Sequence, residues 1–347
     1  MKILFYGGVT MWPVTPLLAV WEAWKKIDPA VEAVWVGTPR GPERLVVEAQ
    51  GISFLTLPVA RFTRYPSVEW LTAPGMFLCA FWKATQILRS QKISLVASAG
   101  GYTAVPVIYA AKLLGVKVWV HQQDVELTKT TKLTVPFADL VTVAWERNRN
   151  DLGDRVKLVG NPVRPSLLRA SRERVYEEFN ISKHKPTVLV MGGGTGSAWI
   201  NQVIDHVASE LTKQANIIHL TGRGKGIVSK HADHHVTEFV DSEMADALAV
   251  ADVVVCRAGL STITELAALS KAAIMIPLVH SPQEANAEMV ADACVVLDQR
   301  HTTSWQLFQE IVNLIENDQR RRELGAKMHS KLRTNIADEL VEMLKTM

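Results

Sequence analysis

Short apolar strands alternate with helical stretches along most of this chain, and that alternation restricts its fold more than any other feature. Helical segments with apolar spacing near 3.6 residues, such as Leu17 to Lys26 and Ala104 to Leu114, separate the strands. Strands joined through helices pair in parallel, so the pattern predicts a doubly wound α/β sheet. The candidate strands of the first half are Ile3 to Tyr6, Ala33 to Val36, Phe54 to Leu57, Leu95 to Ala97, Lys117 to His121 and Leu140 to Val143.

The pattern restarts with a strand from Thr187 to Met191 and a helix from about Ala198 to Leu211. Two Rossmann-like domains facing each other across a cleft are therefore predicted, residues 1–163 and 164–330, joined near Val159 to Pro165. A charged helical tail from Asp318 to Met347 ends the chain, with residues 331–347 as the terminal helix. The remaining candidate strands are Ile217 to Leu220, Val236 to Phe239, Val253 to Cys256, Ala273 to Ile276 and Val295 to Leu297.

Composition agrees with a two-domain, non-membrane-spanning protein. The chain has 347 residues, 48% of them hydrophobic, and no run of about 18 apolar residues that would predict a transmembrane helix. The start, MKILFYGG, predicts a first strand and not a signal peptide. The widely spaced Cys79, Cys256 and Cys294 form no metal-binding pattern, and we expect reduced core residues of a cytoplasmic protein.

Charge is divided unevenly between the two halves. Residues 1–164 carry seven more Lys and Arg than Asp and Glu, the remainder carries four fewer, and eight of the ten tryptophans lie in the first half. The basic, Trp-rich half suggests contact with an anionic membrane surface or phosphate, and nucleic acid is not expected; alternatively, the tryptophans fill the core. The aromatic stretch Leu71 to Leu88, with Lys83 and Arg61 to Arg64, could press one helix face into lipid headgroups or be a buried helix.

The segment Ala251 to Val290 predicts a site for a phosphorylated nucleoside. A strand ends at Arg257-Ala258-Gly259, and a helix opening at Ser261 or Thr262 directs its N–H groups and positive dipole end at an anion. Glu265 could accept hydrogen bonds from a ribose diol, and Gln283 and Asn286 follow the next strand at the same sheet edge. An ordinary capped βαβ unit would explain the glycine but not these three side chains.

A glycine-rich turn, Gly192-Gly193-Gly194-Thr195-Gly196-Ser197, follows the first strand of the second half. Such a turn between strand and helix holds phosphate through backbone N–H groups. A dinucleotide is the alternative, but the acidic residue expected about 20 residues later is missing and the first strand lacks G-x-G-x-x-G. We therefore expect no cofactor.

These motifs, in this order, resemble those of the peptidoglycan N-acetylglucosaminyltransferase family. The family pattern R-[AS]-G-x-x-T-x-x-E, then Gln and N-A, corresponds to Arg257-Ala258-Gly259, Thr262, Glu265, Gln283 and Asn286-Ala287. Further matches are Val36 to Glu43 (V-G-T-x-x-G-x-E), Gly100-Gly101-Tyr102 (G-G-Y), His121 to Asp124 (H-E-Q-N), Val159 to Arg164 (V-G-N-P-V-R) and Thr221 to Lys225 (T-G-K-G).

The resemblance implies a GT-B fold and inverting transfer of GlcNAc from UDP-GlcNAc to the 4-OH of undecaprenyl-diphosphate-linked muramoyl-pentapeptide. This acceptor is the lipid-linked precursor of a disaccharide, and the reaction takes place at the cytoplasmic face of the membrane. The resemblance also implies a tail that packs on the first domain, a peripheral membrane location and no metal. The implied donor-binding residues are Arg164, Gly194, Thr195, Gly196, Ser197, Arg257, Ala258, Gly259, Thr262, Glu265, Gln283 and Asn286, and the implied acceptor-side residues are Thr10, Gly100, Gly101 and Tyr102.

The first glycine loop departs from the family pattern. Where the family has G-G-G-T-G-G-H-V-T-P, this chain has Met11, Trp12 and Pro13 in place of two glycines and the histidine. A carboxylate is then the expected catalytic base, Asp124 first and Glu126 second. We interpret His121 as a histidine at a strand end that is satisfied by backbone groups. A transferase with another lipid or small-molecule acceptor, and a weakly catalytic nucleotide-sugar-binding or regulatory protein, remain the alternatives.

Overall fold

The computed structural model describes residues 1–8, 11–39, 41, 43–58, 69–179, 181–238 and 244–347. These residues form two compact units. The first unit contains Met1–Arg164 and Asn335–Met347, and the second contains Pro165–Thr334. The boundaries expected from the sequence, after residues 163 and 330, lie within a few residues of this division.

The first unit is built on a seven-stranded sheet in the order β3-β2-β1-β4-β5-β6-β7, whose neighbouring strands all pair in parallel. Its elements in chain order are β1 (Lys2–Tyr6), α1 (Thr15–Ile27), β2 (Glu32–Gly37), α2 (Glu43–Ala49), β3 (Ser53–Thr56), α3 (Glu69–Ser90), β4 (Leu95–Ser98), α4 (Ala104–Leu113), β5 (Lys117–Gln122), α5 (Lys129–Thr134), β6 (Leu140–Val143), α6 (Glu146–Leu152) and β7 (Val156–Leu158).

Both faces of this sheet are buried, which explains why its strands are continuous apolar runs. One face packs against α1 and the other against α3 and α4. Trp24, Trp35 and Trp119 are almost fully buried in these layers, whereas Trp82 is 63% exposed. Core packing therefore accounts for much of the tryptophan in the first half, but not for the aromatic residues on α3.

The second unit repeats the architecture with a six-stranded parallel sheet in the order β10-β9-β8-β11-β12-β13. Its elements are α7 (Arg172–Glu178), β8 (Thr187–Met191), α8 (Ala198–Leu211), β9 (Asn216–Leu220), β10 (His234–Thr237), α9 (Met244–Val250), β11 (Val253–Cys256), α10 (Leu260–Ala268), β12 (Ala273–Met275), α11 (Gln283–Met289), β13 (Val295–Val296), α12 (Ser304–Glu316) and α13 (Asp318–Lys331).

The C-terminal segment consists of two helices with different neighbours. Helix α13 packs against α10 in the second unit, while α14 (Ala337–Lys345) packs against α1 in the first unit. Leu340, Val341 and Leu344 of α14 are almost fully buried there. The expectation of one helical tail from Asp318 is therefore wrong, because residues 332–336 interrupt the helix.

Each sheet has a switch point, at which consecutive connections turn in opposite directions. In the first unit it lies between β1 and β4, and in the second between β8 and β11. Ligands of open α/β sheets bind outside the carboxyl ends of the strands at such points. The glycine-rich turns singled out in the sequence follow these four strands.

Several local predictions needed correction. Strand β7 was missed because it is three residues long with only Val156 buried, and β10 begins at His234, while its predicted end, Phe239, lies outside the described residues. Helix α10 begins at Leu260, one residue earlier than expected. Within the described residues, no helix combines the length and apolarity needed to span a bilayer.

The core assignment of Cys79 was also wrong. Cys256 and Cys294 are buried, but Cys79 is exposed on α3. The buried face of α3 is carried by Ala80, Ala84 and Ile87, at the spacing of successive helical turns, and Cys79 lies outside that face.

Candidate active site

The turn after β8 has a backbone shape that only glycine adopts easily. Gly193 and Gly196 have φ values of +81° and +67°, and the N–H of Gly196 donates to the carbonyl of Gly193 at 2.9 Å. Gly196 also lies directly against the turn after β9, where a Cβ added to it would stand 2.7 Å from the Cα of Gly222. Gly194 and Thr195 are exposed between the two positive-φ glycines.

Two side chains hold this turn in place. The Ser197 Oγ caps α8 by accepting from the N–H of Ile200 at 3.3 Å. The Nζ of Lys225 donates to the carbonyls of Thr195 and Gly196 at 2.8 and 3.0 Å. The motif Thr221 to Lys225 thus packs against the glycine-rich turn, as expected for two segments of one site.

Arg257 joins this turn to the neighbouring strand ends. Its Nη2 donates to Ser197 Oγ and to Gln299 Oε1, both at 2.7 Å, and its Nη1 donates to the carbonyls of Ile276 and Pro277 at 2.9 and 3.2 Å. The side chain is 8% exposed, and burial lowers the pKa of Arg257. Arg257, predicted to bind the sugar donor, therefore makes four hydrogen bonds to the protein itself. One of the accepting residues, Gln299, belongs to no motif recognised in the sequence.

The start of α10 presents backbone N–H groups without a side-chain cap. Gly259 is the N-cap residue, its carbonyl accepts from Ile263 at 3.0 Å, and a Cβ added to it would meet no atom within 4 Å. Its φ of −74° is open to any residue, so the glycine leaves space here and is not needed for backbone shape. Thr262 and Glu265 lie in this helix with only 8% and 9% exposure.

The remaining predicted donor residues divide between the two units. The Asn286 Nδ2 donates to the carbonyl of Ala258 at 3.3 Å, which ties α11 to the turn before α10. Gln283, one turn earlier in α11, accepts from the N–H of Leu278 at 3.0 Å. Arg164 is half-buried and is the last residue of the first unit before the chain enters the second unit at Pro165. Its expected contact with a diphosphate stays a prediction.

In the first unit, the indole of Trp12 fills the switch point. A Cβ added to Gly100 would stand 2.6 Å from the Trp12 ring. Gly100 and Gly101 have φ values of +111° and +92°, and Tyr102 beside them is half-buried. Thr10, the fourth predicted acceptor-side residue, lies outside the described residues. A bulky ring thus occupies the place where the family has a glycine.

The backbone at the end of this loop, residues 13–16, directs its N–H groups at the protein. The N–H groups of Val14 and Thr15 both donate to the carbonyl of Met11, at 3.0 and 3.1 Å. Pro13 and Pro16 have no N–H. Among these described residues, 13–16, every backbone N–H is either absent or directed at the protein. Residues 13–16 therefore offer an anion no free backbone N–H group, in contrast to the start of α10.

His121, which we expected to be satisfied by backbone groups, also lies against two side chains. Its Nδ1 lies 2.8 Å from Thr142 Oγ1, and its Nε2 lies 2.8 Å from Asn161 Oδ1. Since an amide oxygen only accepts, Nε2 carries the proton and Nδ1 accepts from the threonine hydroxyl. Burial lowers the pKa of His121 to about 4, so the ring is neutral at pH 7.

The same network reaches the first loop. Asn161 Nδ2 donates to Gln123 Oε1 at 3.4 Å, and Gln123 Nε2 donates to the carbonyls of Trp12 and Ala99, both at 3.1 Å. A chain of hydrogen bonds therefore connects His121 to the backbone of the loop that carries Trp12. The Gln123 side chain is fully buried, which fixes the position of the loop.

The two candidate bases lie in the loop after β5. Asp124 is 7% exposed, and its carbonyl accepts from Gln122 Nε2 at 2.7 Å and Asn148 Nδ2 at 3.2 Å. Glu126 is exposed, and its carbonyl accepts from the same Gln122 amide at 3.0 Å. Gln122 thus holds the loop backbone between the two carboxylates.

Glu43, the glutamate of the V-G-T-x-x-G-x-E match, was not among the predicted site residues but is a fully buried carboxylate. Its Oε1 accepts from the N–H and hydroxyl of Thr38 at 2.8 and 2.7 Å. Gly8, Gly37 and Gly41 leave room for it, since a Cβ at any of them would crowd the carboxylate. Within the part of the chain that the structure describes, no three His, Cys, Asp or Glu side chains converge on a possible metal site.

The fold and the site together define a class. Two doubly wound parallel units, the second with a glycine-rich turn and an uncapped helix start at its switch point, are those of a GT-B glycosyltransferase. Residues 3–143 match the glycosyltransferase family 28 N-terminal domain, and residues 187–340 match the glycosyltransferase family 28 C-terminal domain.

Individual relatives narrow the class. A UDP-N-acetylglucosamine–N-acetylmuramyl-(pentapeptide) pyrophosphoryl-undecaprenol N-acetylglucosamine transferase of Bifidobacterium longum is 31% identical over 94% of this chain and 92% of its own. A transferase of the same name from Clostridium perfringens is 28% identical over 99% and 98%. The crystal structure of MurG from Acinetobacter baumannii superposes with a TM-score of 0.73 at 25% identity, covering 100% of this chain and 99% of that one. The chain belongs to this peptidoglycan N-acetylglucosaminyltransferase family.

Replacement of Gly196 by alanine should strongly destabilise the second unit. The change forces a side chain into the left-handed region, which costs about 1–2 kcal/mol, and overlap with the Gly222 backbone should add about 1–3 kcal/mol. Gly193→Ala is the matched control, because its φ is also positive but nothing lies within 4 Å of the added Cβ. Urea denaturation should show a clearly larger loss for Gly196→Ala, and equal losses would contradict the close packing of the two turns.

Removal of His121 should flatten the dependence of stability on pH. In the unfolded chain this ring takes up a proton as the pH falls below about 6.5, whereas in the folded chain its pKa is about 4. Stability is therefore lost between about pH 6.5 and 4. Between pH 7 and 5 the parent should lose about 2 kcal/mol more than His121→Asn in urea denaturation. The same pH dependence in both proteins would show that folding leaves the pKa of His121 unchanged, and would contradict the lowered pKa.

Proposed function

We propose that this chain transfers N-acetylglucosamine from UDP-N-acetylglucosamine to the 4-OH of N-acetylmuramyl-(pentapeptide) pyrophosphoryl-undecaprenol, with inversion at the sugar. The observation that carries the proposal is the hydrogen-bonded junction of Ser197, Arg257, Ala258 and Asn286 at the switch point of the second unit. It joins the glycine-rich turn, the start of α10 and α11. The names of the relatives supply the identities of sugar and acceptor.

The second unit would bind the nucleotide. The N-termini of α8 and α10 carry partial positive charge, which suits a diphosphate and stabilises the negative charge that develops on departing UDP. The open space in front of Gly259 allows phosphate to approach the backbone. In this scheme Glu265 accepts hydrogen bonds from the ribose, Gln283 and Asn286 contact the donor from α11, and Arg164 adds a cation to the diphosphate.

The first unit would supply the base. A base must remove the proton from the acceptor hydroxyl as the new bond to the sugar forms, and position 13 holds proline instead of histidine. Asp124 is the preferred group because its backbone is held by Gln122 and Asn148 at the carboxyl end of β5. Glu126 is the second choice, since it is more exposed.

Contact with the membrane is proposed for the exposed face of α3. Leu78 and Trp82 are 58% and 63% exposed, one turn apart, and Phe77 is 36% exposed beside them. The exposed Lys83 follows in sequence and suits anionic headgroups. An interfacial helix of this kind would keep the chain at the cytoplasmic face of the membrane, where an acceptor with an undecaprenyl chain resides.

A second candidate function is favoured by Trp12. Its ring covers Gly100, and the N–H groups of Val14 and Thr15 after it are directed at the protein. An acceptor diphosphate would therefore be held differently here from one bound by a glycine nest. The alternative is a UDP-sugar transferase with a different lipid or small-molecule acceptor. Release of UDP from UDP-N-acetylglucosamine, measured with a panel of acceptors that includes the lipid-linked muramyl-pentapeptide, distinguishes the two.

In that assay Asp124→Asn should lower the transfer rate by roughly 100-fold or more, because loss of a general base typically costs this much. UDP affinity, measured by calorimetry, should not change, since the nucleotide is proposed to bind the second unit. Glu126→Gln is the matched control and should transfer at close to the parental rate.

Two outcomes would count against the proposal. Equal rates for Asp124→Asn and the parent would remove Asp124 as the base. Absence of transfer by the parent to the muramyl-pentapeptide acceptor, with transfer to another one, would replace the proposed acceptor by the alternative.

A further inference from the structure

The turn from Asp298 to Thr302 is unusually well fixed by its own hydrogen bonds. The Asp298 carbonyl accepts from the N–H groups of His301 and Thr302 at 3.1 and 3.0 Å, and from the Thr302 hydroxyl at 2.7 Å. Its carboxylate accepts from the N–H and Nε of Arg300 at 2.8 and 2.9 Å, and these bonds lower the pKa of Asp298 to about 2. The backbone that carries Gln299 is therefore held in one conformation.

From this fixed position Gln299 accepts a hydrogen bond from Arg257. Its Oε1 accepts from Arg257 Nη2 at 2.7 Å, and the same nitrogen donates to Ser197 Oγ at 2.7 Å. A guanidinium that is 8% exposed depends on protein acceptors, because a buried N–H left without one is costly. Among the four oxygens that accept from Arg257, those of Gln299 and Ser197 belong to side chains, so Gln299 helps to decide where Arg257 holds Ser197.

The same turn also reaches α11. Arg300 Nη2 lies 3.7 Å from Glu284 Oε1, and Glu284 Oε2 accepts from the N–H of His280 at 2.9 Å. Glu284 follows Gln283, one of the residues proposed to contact the donor. This turn therefore touches two of the segments that form the donor site, on one side through Arg257 and on the other through α11.

We infer that Gln299 is a positioning residue for nucleotide binding, which acts by holding Arg257 against Ser197 and so fixing the glycine-rich turn. The inference rests on the proposed function only in the choice of UDP as the ligand. Gln299 lies beside the site and is half-buried, which makes substitutions there compatible with a folded unit.

The test compares Gln299→Leu, which removes the acceptor, with Gln299→Glu, which keeps an oxygen at the same reach. Calorimetry with UDP should give a Kd about tenfold higher for Gln299→Leu, because one hydrogen bond to a charged group contributes a free energy of about this size. Gln299→Glu should give a nearly parental Kd. In the transfer assay KM for UDP-N-acetylglucosamine should rise for Gln299→Leu while kcat stays near the parental value. Gln319→Leu, an exposed Gln of α13, is the matched control.

Action through Arg257 is tested by a double-mutant cycle. In an Arg257→Lys background, which lacks the forked donor, Gln299→Leu should change the UDP Kd by much less than in the parent. If Gln299→Leu unfolds, Gln299→Asn withdraws the same oxygen without adding an apolar group and should show the same loss of affinity.

A lowered melting temperature with unchanged UDP affinity in Gln299→Leu would overturn the inference, because Gln299 would then be a purely structural residue. Equal effects of Gln299→Leu in the parent and Arg257→Lys backgrounds would overturn its action through Arg257. The outcome is separate from that of the proposed function, since the UDP Kd decides it even if the parent transfers sugar to no acceptor.

Discussion

The buried guanidinium of Arg257 is the interaction on which the candidate donor site depends. A buried charge is strongly destabilising unless its donors are paired, and here two carbonyls and two side-chain oxygens accept from it. These acceptors belong to the end of β12, the turn before α8 and the turn after β13. The Arg257 side chain therefore fixes the positions of three loops relative to one another at one edge of the sheet.

Two glycine turns beside this site pack closely against each other. Gly196 and Gly222 approach each other so closely that neither tolerates a Cβ, and Lys225 holds the carbonyls of the same turn. The backbone is thereby arranged before any ligand arrives, and a nucleotide need not supply the free energy to order it. Preorganised donors of this kind suit a reaction in which negative charge develops on departing UDP.

The loop at the switch point of the first unit is held in place by different side chains. At its switch point Trp12 covers Gly100, and a hydrogen-bond chain from His121 through Asn161 and Gln123 holds the loop. The equivalent family loop has glycines and a histidine, whereas this chain has the Trp12 ring in place of one glycine and Pro13, which lacks an N–H, in place of the histidine. The second unit keeps the family motifs, and the first unit departs from them in its first glycine loop. A change confined to that loop supports the proposed alternative of a different acceptor over a general loss of function.

Much of the fold could be predicted because apolar periodicity is a local property. Strands β8 and β11 and helix α8 have the bounds expected from the sequence, and the alternation predicted parallel sheets in both halves. What could not be predicted depends on contacts between distant segments. Gln299 is recognisable only beside Arg257, 42 residues away in sequence, and the exposure of Cys79 is decided by which face of α3 packs inward.

The candidate site shows the same limit. The motifs indicated which loops matter, and the structure shows hydrogen bonds between Ser197 and Arg257 and between Asn286 and Ala258. A sequence pattern does not distinguish a residue that contacts ligand from one that holds its neighbour. Arg257 illustrates this, since its four hydrogen bonds to the protein point to a positioning role.

Hydrogen–deuterium exchange with and without UDP tests the central claim most directly, because it reports on backbone N–H groups loop by loop. If the switch point of the second unit is the nucleotide site, UDP should slow exchange most strongly in the Gly192 to Ser197 turn and at the start of α10, from Gly259 to Thr262. Slowed exchange at the Gly100 and Gly101 turn of the first unit, with no change in those two segments, would contradict the account.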